Sequence, residues 1–568
     1  MDATAIDESL ETLSANRRRW ARLPIATKIY ALDEIRKRVG DVAADWVEAA
    51  AHAKDISADS PQVGEEWTSG PYAIASAAGA LARTLGRLEV GESVLSGVAT
   101  RVMSNGQVAV RVFPTTLEDR LLLNGHTADV WMQPGVTEGD AAERAAGFYR
   151  QSNPEGTVAV VLGAGNIAAI PALDLMTEAF VHGSTVALKL NPVNAYLGPF
   201  FEYVFGLLIE GGFVRLVYGG VEEGVYLTRQ PLIDRIHITG ATRTHDAIVY
   251  GTDDGAAVRK AADQPVTDAQ VTSELGGVGP SIVVGGPWTR ADIRHQAEHL
   301  LTQKLHNHGF NCVACQILIL PEVWDQADDL LDAMRSIVPT LNWRGAYYPG
   351  VEERQRAALA AHPDAEILTG GTSPVTLITE LDPHNQHEEC FTSEFFGAVL
   401  GVVRLPGNNP AHYLDNAVSF ANRTLVGNLG ANLIIHPSTA AQHHVALEQA
   451  IHDLRYGTVA VNSWVGVAFA MTRATWGSFP GNRRNDIGSG SGIVHNALML
   501  ESVERTVVRG PFAPFPRTLR QRVFHAEPLP PHYVTNPNAA VIGRLATERA
   551  VTGSFAPVPA LVAAALRA

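Results

Sequence analysis

Three thiols are all this chain has: Cys312, Cys315 and Cys390. Two of them close the segment HNHGFNCVAC at 306–315, whose residue types admit four kinds of chemistry. His306, His308, Cys312 and Cys315 carry donors that could hold zinc, and C-x-x-C could be a redox pair. A structural zinc site draws ligands from a second segment, and no other Cys/His cluster of that kind exists in the sequence. A redox C-x-x-C belongs at the first helix of a thioredoxin-like unit, a context missing here. Two readings remain: buried inert thiols ahead of a strand, or a nucleophilic cysteine on a glycine-containing loop, with the two histidines structural. A lone acid, Glu274, lies in TSELGGVGP (272–280); it matters only where the fold carries it to a reacting centre. In VLGAGNIAA, residues Gly163, Gly165 and Ala168 satisfy G-x-G-x-x-A after a strand-like run. That suits a dinucleotide phosphate at a helix start. The acid such a fingerprint expects after the next strand is replaced by Lys189, Leu190 and Asn191, so glycines serving only a turn are the default.

The elements that must position these residues follow from periodicity. Ile25, Ile29, Leu32, Ile35, Val39, Val42 and Trp46 recur at three- and four-residue steps, which predicts a helix over 24–55. VAVRVFP and ADVWMQP predict a hairpin within 106–133. TVAVVL, TVALKL, FVRLVY and RIHIT alternate with helix-like stretches, the pattern of a parallel sheet with helices on its faces. SIVVGG and CQILILP flank a helical pattern at 290–305 and suggest a second α/β unit. The stretch HAEPLPPHYVTNPNAA reads as an irregular tail ahead of a short apolar end. That tail is expected to dock on the body or a partner subunit and to carry no chemistry.

Composition narrows the class. Of 568 residues, 46% are hydrophobic and 18% charged, which is ordinary for a folded protein. The net charge of −15 argues against nucleic acid or an anionic membrane as partner. The acidic start MDATAIDESLETL is unlike a secretory signal, and the most apolar long run, 157–176, is interrupted by Gly, Pro and polar residues. The expectation is a cytoplasmic location.

In this order and spacing, the three segments resemble the aldehyde dehydrogenase superfamily. ELGG followed by Asn307-His308-Gly309-Phe310-Asn311-Cys312 matches its acid-then-nucleophile order. Asn166 and Lys189 resemble its oxyanion asparagine and ribose-contacting lysine, and ITGAT (238–242) its turn near the cofactor diphosphate, which implicates Gly240 and Ala241. SEFFGAVLGVV (393–403) is similar to its E-I-F-G-P-V motif, with Glu394 and Phe396 at the nicotinamide ribose. YGTVAVNSW and SVERTVV resemble later family segments, so the likeness runs over roughly 20–510. There are departures. The usual P-W-N is Ala164-Gly165-Asn166, Phe310-Asn311 replaces the commoner G-Q pair, and Pro192 stands where a glutamate often holds the adenosine ribose. The last change leaves NAD or NADP open.

The resemblance implies an α/β fold: a Rossmann-type cofactor domain (1–105 and 134–273), an α/β catalytic domain (274–498) and a small β oligomerisation element (106–133 and 499–512), with 513–568 as an extension. It implies a homodimer or homotetramer acting on a small aldehyde, with no metal. Cys312 attacks the carbonyl, Asn166 and the Cys312 N–H hold the oxyanion, and Glu274 activates water. A free thiol has a pKa of about 8.5, so activation is expected from Glu274 or from the cofactor's positive charge. Because family members that acylate coenzyme A generally lack the acid, Glu274 favours a free carboxylic acid product. The alternatives are an acyl-CoA reductase or CoA-acylating enzyme of the same fold, or a non-catalytic member.

Overall fold

A computed structural model describes residues 2–115, 119–120, 123–341, 344–369, 374–520 and 529–567. Its strands, in chain order, are β1 Thr100–Val102, β2 Val108–Phe113, β3 Thr127–Met132, β4 Thr157–Leu162, β5 Ser184–Lys189, β6 Val214–Val217, β7 Arg235–Gly240 and β8 Gln270–Leu275. Then come β9 Gly279–Val284, β10 Cys315–Pro321, β11 Glu366–Leu368, β12 Val375–Leu381, β13 Val399–Leu405, β14 Gly430–Ile435, β15 Thr458–Val461, β16 Gly490–Ser491 and β17 Val503–Arg509.

They form two sheets. The first runs β16-β8-β7-β4-β5-β6, parallel except for β16. The chain leaves β4 toward β5 and β6, then returns to place β7 on the other side of β4. That reversal opens a crevice at the carboxyl ends of β4 and β7, where open α/β sheets take their ligands. The second sheet runs β1-β2-β3-β17-β15-β14-β9-β10-β13-β12-β11. Its middle is parallel, while β1, β2 and β3 add an antiparallel edge. The central strands β4, β5, β10 and β14 are largely Val, Ile, Leu and Ala, as burial on two faces demands.

Helices bury the sheets. Ile25–Ala53 presents Leu32, Ile35, Val39, Trp46 and Ala50 to the core, matching the expected spacing. The alanine-rich helix Ala73–Glu89 packs along it. Thr289 and Asp292 form a capping box that starts Arg290–Leu305. That helix is buried on nearly every side, so its polar residues must find partners: Gln296 Nε2 donates to the Phe512 carbonyl at 2.6 Å, and Ser281 Oγ donates to Gln303 Oε1 at 2.6 Å.

Of the irregular tail expected at 525–540, residues 525–528 lie outside the described residues and 529–538 are turns without helix or strand, as expected. The helices Ala539–Thr552 and Val558–Ala565 follow it. Gly64 and Ala539 meet so closely that a Cβ on Gly64 would stand 2.4 Å from the Ala539 carbonyl carbon. Among the described residues, no helix is long and apolar enough to cross a membrane.

Candidate active site

The loop carrying Cys312 is shaped by an unusual backbone. Asn307, His308 and Gly309 all have positive φ, at 52°, 58° and 78°. Such left-handed residues cost the two non-glycines energy. Gly309 has no alternative residue, because a Cβ there would fall 2.6 Å from the Gly397 carbonyl oxygen. The buried surroundings hold the loop: Asn307 N–H donates to Glu65 Oε2 at 3.0 Å, and Asn307 Nδ2 donates to the carbonyls of Phe310 (3.0 Å) and Asn166 (3.1 Å). Cys315 is the buried first residue of β10.

Asn166 is pinned from several sides. Its main-chain carbonyl also accepts from Tyr347 Oη at 2.9 Å and Lys54 Nζ at 3.3 Å. Its side-chain Nδ2 donates to the Phe310 carbonyl at 2.8 Å, which sets the amide beside the loop two residues before Cys312. Behind it lies a buried charged cluster. Lys54 Nζ donates to both Glu66 oxygens at 3.0 and 2.9 Å, Arg344 Nη1 donates to Glu66 Oε1 at 3.1 Å, and Arg344 also binds Glu65. Burial alone would push the Glu66 carboxyl up; Lys54 and Arg344 overcome that and hold it below its ordinary value. Sequence reading missed this cluster, because Lys54, Glu65 and Glu66 stand on helices that pattern as ordinary surface turns.

Glu274 is the penultimate residue of β8, beside Thr239 of β7 and Gly490 of β16. Its Oε1 lies 3.6 Å from Cys312 Sγ, which donates to it, and accepts from Trp476 Nε1 at 2.7 Å. Burial pushes the Glu274 carboxyl up to about 7, against the opposing pull of His495 and the indole N–H. The Cys312 thiol is also held well above its ordinary value, first by burial and then by the carboxyl groups of Glu274 and Glu394. The acid therefore opposes thiolate formation electrostatically, which leaves it the role of a base. It can help only by taking the thiol proton.

The expected cofactor residues lie around the crevice. Lys189 ends β5, with its ammonium lowered by burial and supported by Glu223. Gly240 ends β7, and the exposed Ala241 precedes the helix Thr242–Tyr250, whose first turn has no acid. That helix start suits an anion. Glu394 is half-buried against the backbone of Gly276 and Gly277, pushed up to about 8 by desolvation, and its enclosed Oε1 has no partner among the described residues. An acceptor buried in that way fits a sugar hydroxyl. Phe396 packs at 5.7 Å from Phe310 and 4.9 Å from Tyr348. By contrast, the turn after β4 is filled, since a Cβ on Gly165 would fall 2.7 Å from Asn191 Cγ. Its glycines serve close packing.

A cavity of about 460 Å³ opens onto Cys312 and Glu274. Ile167, Ile170, Trp464, Phe469 and Trp476 wall it near the thiol, and Pro530, His532 and Ile542 bring the tail into the same wall. His306 packs on Trp464 at 5.0 Å, and Trp464 faces His532 at 6.0 Å. The structure thus brings Cys312, Glu274 and Asn166 together on one side and Lys189, Gly240, Ala241, Glu394 and Phe396 around the crevice. The tail docks on the body, as expected, and also contributes to the cavity, which was not. Among the described residues, the grouping with metal-ligating atoms close together is His362, Glu388 and Cys390. His306, His308, Cys312 and Cys315 form no such group.

The profile of the aldehyde dehydrogenase family matches residues 132–497. Solved structures share the fold at low identity. An aldehyde dehydrogenase from Mycobacterium tuberculosis, complexed with NAD+, is 16% identical with a TM-score of 0.60, covering 90% of each chain. An NAD-dependent aldehyde dehydrogenase from Sinorhizobium meliloti is 16% identical with a TM-score of 0.59, covering 89% of this chain and 86% of its own. The NADP-dependent glyceraldehyde-3-phosphate dehydrogenase of Bacillus halodurans, complexed with NADP, is 17% identical with a TM-score of 0.57, covering 89% and 91%.

Proposed function

The chain belongs to the aldehyde dehydrogenase family, and from that premise we propose that it oxidises an aldehyde to the free carboxylic acid with NAD or NADP, using Cys312 as nucleophile. The observation that carries this reading is the 3.6 Å approach of Cys312 Sγ to Glu274 Oε1 at the cavity wall. Glu274 takes the thiol proton as sulfur attacks the carbonyl carbon. The new oxyanion is held by the Asn166 amide and the Cys312 N–H; a donor of this kind is typically worth about 3–4 kcal/mol of barrier. NAD or NADP, when bound, would supply the hydride acceptor, and loss of hydride would leave a thioester on Cys312. Glu274, with a proton affinity near neutrality, gives that first proton up to solvent and then draws one from the attacking water; the tetrahedral intermediate expels the thiolate, which takes this second proton back as the acid leaves. Lys189, Glu394, Phe396 and the Gly240-Ala241 turn hold the cofactor in this reading, at a crevice whose helix start and unpartnered carboxylate oxygen fit its phosphates and sugar.

The residue ranges 1–105 with 134–273, 274–498, 106–133 with 499–512, and 513–568 divide cofactor, catalytic, oligomerisation and extension roles. A homodimer or homotetramer through the 106–133 hairpin belongs to the same reading. The test is a panel of aldehydes with each cofactor, following NAD(P)H and identifying the product with and without coenzyme A. Free acid in both cases supports the proposal. Acyl-CoA as the product favours the acylating alternative, and no reduction of either cofactor favours a non-catalytic member.

A further inference from the structure

The protein as a whole is strongly acidic, at −15, yet its cavity wall is cationic. Arg36, Arg83, Arg473 and Arg549 line it, against the carboxylates of Asp119 and Glu274. These arginines come from four separate parts of the chain: the helices Ile25–Ala53, Ala73–Glu89 and Ala539–Thr552, and the loop following Val465–Ala470. A charged face of one surface helix would not produce this convergence. Gly79 makes room for it, since a Cβ there would meet Arg83 Nη1 at 3.4 Å and Arg36 Nη1 at 3.6 Å.

Some of this charge has local company. Arg36 lies 3.4 Å from Asp33, and Arg549 stands over the Phe555 ring at 4.7 Å. Arg473 has no ion pair among the described residues. Burial first, then Arg83 and Arg87, lower its guanidinium to about 10, with Asp119 opposing them. A half-buried guanidinium facing like charges is stabilised by an anionic ligand, and its fork suits oxyanions. Around Cys312, which lines the same cavity, the charges that dominate are instead the carboxyl groups of Glu274 and Glu394, with no arginine among them. Apolar side chains, Val467, Phe469, Met471 and Ile542 among them, also line it.

We propose that the cavity selects an aldehyde carrying an oxyanion, a carboxylate or a phosphate, at the end remote from the carbonyl, with Arg473 as its principal anchor and Arg36, Arg83 and Arg549 supplying the field around it. This rests on the dehydrogenase reading of Cys312. Three aldehydes matched in length test it: an ω-oxo carboxylate, an ω-phosphorylated aldehyde and a neutral alkanal. One anionic arm should exceed the alkanal in kcat/KM by at least tenfold, and which arm does so distinguishes carboxylate from phosphate. Arg473→Met should collapse that ratio toward one through KM, and Arg473→Lys should restore part of it. A ratio near one in the parent, or a ratio that survives Arg473→Met, overturns the proposal. Calorimetry on Cys312→Ala with the corresponding product acids separates the two readings. If no aldehyde is oxidised, the dehydrogenase reading fails, while this proposal still stands or falls on whether a dicarboxylate or phosphonocarboxylate binds at least tenfold tighter than a monocarboxylate and loses that advantage with Arg473→Met.

Discussion

At the residue scale, the pairing of Cys312 with Glu274 makes definite demands. Cys312→Ala should cost at least a hundredfold in turnover, about 2.7 kcal/mol of barrier, while cofactor binding by fluorescence titration stays near the parent value. Glu274 works as a base only when ionised, so turnover limited by thioester hydrolysis should rise with pH through about 7. Trp476 Nε1–H favours the ionised carboxyl, and Trp476→Phe should move that limb to higher pH by about one unit. A pH profile of kcat that does not move would show that another group titrates. The same carboxyl links pH to stability. Its folded value, about 7, lies above the ordinary 4.5, so its contribution is complete below pH 4.5 and is lost as pH rises through 7. Glu274→Gln should therefore gain stability over the parent at pH 8 and not at pH 4.5, read from urea unfolding at both.

At the scale of elements, the supports of the site lie far from its reacting atoms. Lys54 reaches the Asn166 carbonyl from the end of the helix Ile25–Ala53 and neutralises Glu66. Lys54→Met leaves Glu66 facing Arg344 alone in a buried setting, and removing one partner of such a cluster costs about 3–5 kcal/mol. Chemical denaturation measures that loss; a change below 1 kcal/mol would mean that the cluster rearranges around Arg344. The sequence made the sheet-forming runs legible because buried parallel strands are written as unbroken Val, Ile and Leu, and the helix over 24–55 because its apolar residues keep a helical step. The charged cluster was illegible for the converse reason. Lys54, Glu65 and Glu66 look like solvated residues until long-range contacts with Arg344 show what surrounds them. The cavity arginines were hidden in the same way, being spread over more than five hundred residues of sequence.

At the scale of the molecule, the site draws on both ends of the chain. The helix Ala539–Thr552 packs on 63–72 and on Ile25–Ala53, and the tail's His532 faces Trp464. Gly64→Val would drive a side chain into the Ala539 backbone, and overpacking of this kind typically costs about 1–3 kcal/mol. Both a lower melting temperature and a higher KM for aldehyde are expected, measured by scanning calorimetry and initial rates. A lower melting temperature with unaltered KM would show that the tail stabilises without shaping the cavity. The motifs name the residues proposed for the reaction, since those stand in short ordered segments. They could not show the enclosure, because nothing in the proline-rich tail announces the segment against which it folds.

Glu274 also occupies a mechanical position. It is the penultimate residue of β8 in one sheet, and only Gly276-Gly277-Val278 separates that strand from β9 in the other. The passage is tight: Gly277 packs 2.9 Å from the Gly427 Cα when given a Cβ, and Gly276 leaves no space beside Glu394. The chain also crosses between the sheets from β3 to β4, from β15 to β16 and from β16 to β17, each time by a longer path. With Gly490 paired across from residue 274, the acid's backbone is therefore tied at the shortest crossing to both sheets at once.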